Sequence, residues 1–294
     1  MDIVRFKGGL GNQMFQYAFV ETLRNRCREV RGNLGFYRNH PDLASFTLNK
    51  VFKNIYLNEI EDEIFDKIDD RWRKIKKNDK LLKDFKQNIT KRFFYVEEKD
   101  GTYENEVFLT ENCVFVGYWQ TEKYFNKIKD VILHDFQFIY GEKKLEKWKN
   151  KFLDNTKYVA IHVRRGDYLT DQNLWGNLSE SNYYREAILF VISKVPEARL
   201  VFFSDDIQWV KQNFKYENAI YIDGNMFDNY ESWYDMCLMS CCSHNIIANS
   251  SFSWWAAWLN QNNKKIIVAP DKWFFDGRDQ KDICPDEWIR LKSI

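Results

Sequence analysis

Beyond Asn155 the chain alternates short apolar runs with amphipathic stretches, and this alternation restricts the fold more than any other feature of the sequence. "YVAIHV" (Tyr158–Val163), "RLVFF" (Arg199–Phe203), "AIYID" (Ala219–Asp223), "NIIAN" (Asn245–Asn249) and "KIIVAP" (Lys265–Pro270) read as buried strands. Between the first two, Tyr184, Ala187, Ile188, Val191 and Ile192 mark one helical face, which Pro196 stops. "SDD" (Ser204–Asp206) supplies a cap for the next helix. Strands and helices in turn imply a parallel sheet with helices on both faces.

The first half has a different texture. "IVRF" (Ile3–Phe6) is strand-like, and after the glycines Phe15, Ala18, Phe19, Thr22 and Leu23 lie at the spacing of a core-facing helix. A polar middle from about Asn58 to Lys99 has too few β-branched runs for a sheet, "NCVFVGYWQ" (Asn112–Gln120) reads as a strand, and "GEKKLEKWKNKF" (Gly141–Phe152) as a charged helix. A chain of 294 residues accommodates two domains, and the change of texture places them at 1–154 and 155–294. Two α/β halves facing a cleft suit an enzyme that brings two substrates together, with ligands beyond the C-terminal ends of the strands.

"FKGGLGNQMFQYAF" (Phe6–Phe19) tests one nucleotide reading. Gly9-Leu10-Gly11 between strand and helix begins a dinucleotide fingerprint, but Met14 stands where the third glycine should be, and no strand ends in an acidic residue at the ribose distance. The simpler reading is a tight turn in which Gly8, Gly9 and Gly11 supply backbone freedom and Asn12 and Gln13 are presented at the mouth of the cleft.

Charge and composition narrow the partners. A formal net charge of +1 gives no field that would argue for nucleic acid. No apolar run has the length of a membrane span, and no basic-then-apolar signal opens the chain, so the expected location is the cytoplasm. The lysine-rich segment from Lys67 to Arg92 reads as amphipathic helix, with contact to an anionic membrane at its inner face, or to an anionic glycan carrier, as the sharper alternative. Cys27, Cys113, Cys237, Cys241, Cys242 and Cys284 form no disulfide framework and read as reduced, buried thiols; Cys237, Cys241, Cys242 and His244 do not have the spacing of a zinc knuckle.

The strand ends hold the residues with chemistry. "RRGDY" (Arg164–Tyr168) follows the strand at Val163 and is placed to meet an anion, with a solvated turn as the plain alternative. His162 lies inside that strand, where a structural histidine competes with a ligand contact. Ser204, Asp205 and Asp206 are cap-forming residues, and without an Asp-x-Asp after a strand they do not indicate a magnesium site. Asn249, Ser250 and Ser251 precede a tryptophan-rich helix whose free N–H groups offer a phosphate site, while Trp254, Trp255 and Trp258 read as packing. Asp235 stands in the apolar "YDMCLMSCC", where a carboxylate needs a partner: two N–H donors of a guanine edge, or an arginine.

"GGLGNQMFQYA", "HVRRGDY", "FSDD" and "NSSFSWWAAWL", in this order and spread over nearly the whole chain, resemble the α1,2-fucosyltransferases of glycosyltransferase family 11, the bacterial members in particular. The resemblance implies a two-domain GT-B-like fold, GDP-L-fucose as donor, inversion at the fucose anomeric carbon, no required metal or other cofactor, and a galactose-terminated oligosaccharide or lipid-linked glycan as acceptor. Bacterial members commonly decorate lipopolysaccharide or capsule glycans. It also implies that Asn12 lies near the reacting groups and that Arg164 is the main β-phosphate contact. His162 and Asp235 would meet the guanosine, Ser250 and Ser251 the phosphate, while Arg165 and Asp167 shape the loop. Asp171 and Asp167 are the two candidates for the base; related core-fucosylating enzymes have a glutamate where Gln172 stands. A different fucosyl linkage, a non-catalytic binding module and a Rossmann oxidoreductase remain as alternatives.

Overall fold

The computed structural model describes residues 1–76, 94–99, 101–154 and 157–293. The chain forms two compact units, Met1–Gln137 and Phe138–Ile294. This division falls earlier than the change of sequence texture because the charged helix Lys143–Leu153 belongs to the second unit. Its Leu145 and Phe152 are fully buried, and the Phe152 ring packs 4.9 Å from that of Tyr158.

The first unit is built on a four-stranded parallel sheet of β1 (Asp2–Arg5), β2 (Val30–Asn33), β3 (Phe94–Glu97) and β4 (Cys113–Val116), in the order β2-β1-β4-β3. β1 runs into the helix Leu10–Asn25, which buries Phe15, Ala18, Phe19, Thr22 and Leu23 at the expected spacing. β3 corrects the expectation that the polar middle contributes no sheet. It is a four-residue edge strand whose Tyr95 and Val96 are only half-buried, and its short apolar run, Phe93–Val96, is flanked by charged and polar residues. The helix Asp62–Lys76 covers the start of the lysine-rich segment, and residues 77–92 of that segment lie outside the described residues.

The second unit carries six parallel strands: β5 (Tyr158–Val163), β6 (Arg199–Ser204), β7 (Ile220–Tyr221), β8 (His244–Ile246), β9 (Ile267–Pro270) and β10 (Ile289–Leu291), in the order β10-β9-β8-β5-β6-β7. Val159, Ile161 and Val163 of β5 join a core with Ile188 and Val191 of the helix Tyr183–Lys194. Ala160 and His162, pointing the other way, are buried too, with the His162 ring 5.8 Å from Phe252 of the helix Ser251–Leu259. Both faces of this strand are therefore covered, as its unbroken apolar run requires. Expected as a buried strand, β7 is a half-buried edge of two residues, and β10 was not legible at all. Among the described residues no helix is long and apolar enough to cross a membrane.

Candidate functional site

From β5 the chain steps to β6 and β7 on one side, and from β8 to β9 and β10 on the other, so the loops leaving adjacent β5 and β8 turn apart. Such a switch point is where a parallel α/β sheet leaves room for a ligand. The β5 loop contributes Arg164, the β8 loop Asn249 and Ser250. Tyr168 joins them: its hydroxyl donates to the Asn249 carbonyl at 2.9 Å, and the Arg164 guanidinium lies 5.8 Å from its ring centroid.

The two arginines have separate tasks. Arg164 pairs with Asp205 at 3.1 Å and keeps a third of its side chain exposed. Arg165 turns inward, with only 9% of its side chain exposed. It donates to Asp206 at 3.2 Å and to the Ser179 hydroxyl at 2.9 Å, and its guanidinium sits 3.6 Å from the Trp209 ring centroid. These partners fit the loop-shaping part expected of Arg165 rather than contact with an anion. Asp205 also accepts the Arg165 backbone N–H at 3.0 Å, which brings its carboxylate so close to the loop that a Cβ at Gly166 would lie 2.4 Å from it. The Ser204 hydroxyl accepts from the Asp206 N–H, and Asp206 caps the helix Ile207–Asn213 by accepting from Trp209. Asp167 opens a short turn, Asp167–Leu169, and its side chain lies outside the described residues. Asp171 is exposed and caps the helix Gln172–Trp175 by accepting from the Leu174 N–H at 3.2 Å.

Ser250 holds the N-cap position of the helix Ser251–Leu259 in an extended conformation, but its hydroxyl makes no capping bond. With no side chain across them, the N–H groups of the first turn keep the orientation that suits a phosphate. Asn249 is a brace: its Nδ2 donates to the carbonyls of Trp175 at 2.8 Å and Trp273 at 2.9 Å. Trp254, Trp255 and Trp258 are buried, and the Trp254 indole N–H donates to the Ile283 carbonyl.

In the second unit two buried titratable groups have an atom without a partner among the described residues, His162 Nδ1 and Asp235 Oδ1. Burial, and secondarily the charge of Arg164, pushes His162 down to about 3, so its imidazole is neutral. Burial pushes Asp235 up to about 7, opposed by a hydrogen bond from the Tyr230 hydroxyl. A tyrosine, not an arginine, is therefore its neighbour.

In the first unit the glycine turn is narrower than the sequence suggests. Only Gly8 has a left-handed backbone, with φ +83°. Gly9 occupies the helix N-cap at φ −74°, and Gly11 lies buried within the helix. Gln13, expected at the mouth of a cleft, is fully buried: Nε2 donates to the Gly8 and Ser45 carbonyls, and Oε1 accepts from the Thr47 N–H. Asn12 alone keeps the half-exposed position, its Oδ1 accepting from Gln120 Nε2 at 2.8 Å. Tyr168, Tyr230, Glu98 and Gln120 were not singled out from the sequence, although "GDY" and "GYWQ" at strand ends carried the signal.

The cysteines are free thiols, and Cys27 is exposed rather than buried. His244 uses Nδ1 to accept from the Ile266 N–H, and among the described residues no three metal-ligating groups converge.

Comparison with known proteins gives the class. Residues 1–292 match the model described as glycosyl transferase family 11, and the chain belongs to that family. It is a glycosyltransferase. Its relatives include an alpha-1,2-colitosyltransferase of Escherichia coli, 30% identical over 99% of both chains. The O-antigen biosynthesis glycosyltransferase WbnK of the same organism is 31% identical over 97% of this chain and 98% of its own. Galactoside alpha-(1,2)-fucosyltransferase 1 of Ateles belzebuth is 30% identical over 46% of this chain and 38% of its own.

Proposed function

We propose that the protein is an inverting galactoside α1,2-fucosyltransferase that moves L-fucose from GDP-β-L-fucose to the 2-hydroxyl of a terminal β-galactose. The observation that supports it best is the switch point of the second unit, where a partly exposed arginine and an uncapped helix N-terminus leave neighbouring strands and are tied by Tyr168. Both are donors suited to a diphosphate.

In this reading Arg164 takes the β-phosphate and Ser250 and Ser251 present first-turn N–H groups to the same diphosphate. The open Oδ1 of Asp235 accepts from the guanine edge, and neutral His162 meets the nucleoside. As the anomeric C–O bond breaks, its electron pair leaves with GDP, whose growing charge meets fixed donors. The acceptor 2-hydroxyl attacks the opposite face of the fucose ring and loses its proton to a base or water; Asp167 and Asp171 are the side chains proposed for that step. The donor array makes a metal unnecessary for leaving-group stabilisation, so we assign none. Use of a sugar nucleotide fits a cytoplasmic enzyme, with a lipid-linked acceptor reached at the inner membrane face.

A second reading rests on the full-length colitosyltransferase relative: the donor is GDP-colitose, which lacks the 3-hydroxyl of fucose. The deciding experiment is GDP release from each donor, with lactose and N-acetyllactosamine as acceptors and EDTA present, for wild type and Arg164→Ala. Acceptor-dependent release from GDP-fucose that survives EDTA and collapses in the variant supports the proposal. Release from GDP-colitose alone replaces the donor, and tight donor binding without turnover points to a binding module.

A further inference from the structure

In the first unit β1 and β4 lie side by side at the centre of the sheet, so the loops that leave them open at the same sheet edge. The loop that leaves β4 is strained. Trp119 has φ +61°, a left-handed backbone rare for a bulky residue, and its fully buried indole is stacked on Phe19 with centroids 4.1 Å apart. The N–H groups on either side of it, those of Tyr118 and Gln120, both donate to one carboxylate, Glu98, at 2.5 and 3.0 Å. Backbone N–H groups around such a residue make a concavity suited to an anion, and here the chain fills it with its own side chain. Gly117 is the space in which Glu98 fits, since a Cβ there would lie 2.3 Å from the Glu98 Cβ.

The loop so held carries Gln120, which donates to Asn12 Oδ1 at 2.8 Å and thereby fixes which end of the Asn12 amide faces away. That end is Nδ2. Lys7, also at the β1 edge, covers the Tyr118 ring at 4.4 Å. Strain held by a buried stack and a carboxylate, at the end of a central strand, has a use only if the geometry it fixes matters. A neutral amide offers a donor without a charge, which suits an uncharged ligand rich in hydroxyls.

We propose that Glu98 is a positioning residue for an acceptor-sugar site in the first unit: by closing on the N–H groups of Tyr118 and Gln120 it holds Gln120 against Asn12 and presents Asn12 Nδ2 to a hydroxyl oxygen of a neutral saccharide. This rests on the reading of the protein as a transferase to a sugar acceptor. Glu98→Gln removes one of the two backbone bonds, and Gln120→Glu replaces the donor to Asn12 with an acceptor, so the Asn12 amide turns over. Both variants should raise the KM for lactose about ten-fold while the KM for the sugar nucleotide stays within about two-fold. A merely structural role would instead move both constants together, in step with a falling Tm, and that result overturns the proposal, as does an unchanged lactose KM. If the wild type turns over neither lactose nor N-acetyllactosamine, the acceptor reading above fails, and the site is read by NMR. The Asn12 side-chain amide resonance, identified by its loss in Asn12→Asp, should shift on titration with either sugar, and no shift with both overturns the inference.

Discussion

The hydroxyl of Tyr168 donates to the main-chain carbonyl of Asn249 at 2.9 Å, and with the bond from Asn249 Nδ2 to the Trp175 carbonyl it ties the chain after β5 to the loop after β8 across their switch point. It holds the loop bearing Arg164 to the loop that opens the Ser251–Leu259 helix. Tyr168→Phe removes the bond and keeps the ring on Trp175. A hydrogen bond of this kind is worth about 1 kcal/mol, so calorimetry should find GDP bound about five-fold more weakly, with a Tm lowered by about 2–4 °C. Unchanged GDP affinity would mean that the two loops do not share a ligand.

The glycine turn gives a contrast between neighbours. Gly8 has φ +83°, and a Cβ there would lie 2.6 Å from Asn12 Nδ2, whereas Gly9 has φ −74° and open space around its Cβ position. Gly8→Ala should cost roughly 1–2 kcal/mol and displace Asn12, while Gly9→Ala should be neutral or gain a few tenths of a kcal/mol from the unfolded state. Chemical denaturation of the two variants checks this. Equal costs would show that the turn constrains both positions.

Asp235 should make both stability and nucleotide binding depend on pH. Its carboxyl is raised from 3.8 to about 7, so the folded protein keeps a proton that the unfolded chain has already released. The sign is therefore unusual for a carboxylate: the contribution of Asp235 to stability is full near pH 4, falls as pH rises towards 7 and is flat above it, by about 4 kcal/mol at most. Asp235→Asn should match wild type near pH 4 and be more stable at pH 8, as thermal melts across that range would show. If the ionised form accepts from guanine, GDP binding should tighten about ten-fold from pH 6 to pH 8 in wild type and not in the variant. A flat binding profile in wild type would remove Asp235 from the guanosine site.

Legibility in the sequence followed the length and continuity of apolar runs. β5 has six buried residues in a row and was readable, but β3, β7 and β10 are short and only half-buried at their sheets' edges, where pattern fades. The strand-end rule found Arg164, Asp205 and Ser250 because the ends of buried strands are readable from the same runs. What it could not assign was direction. Arg164 and Arg165 are adjacent arginines, and Asn12 and Gln13 adjacent amides, yet in each pair one side chain is half-exposed and the other turns into the fold. Partners remote in sequence decide which: Ser179, Asp206 and Trp209 draw in Arg165, while Ser45 and Thr47 draw in Gln13.

That division of labour between the arginines yields the sharpest mutational contrast. Arg165 gives up two hydrogen-bonded side-chain partners and its stack on Trp209 when truncated, so Arg165→Ala should cost about 2–3 kcal/mol, or roughly 5–10 °C in Tm. Arg164, a third exposed and paired with a part-exposed Asp205, holds up little of the fold. Arg164→Ala should therefore change Tm by no more than about 2 °C. The contact proposed for it places the loss instead on turnover, by about 100-fold or more in kcat, because a donor to a departing diphosphate is worth most when the charge develops. Arg164→Lys restores the charge without the planar fork and should recover only part of that loss. Steady-state kinetics beside thermal melts decide the matter: if Arg164→Ala unfolds as readily as Arg165→Ala and loses activity only in proportion, Arg164 is a second brace and the anion site lies elsewhere on the sheet edge.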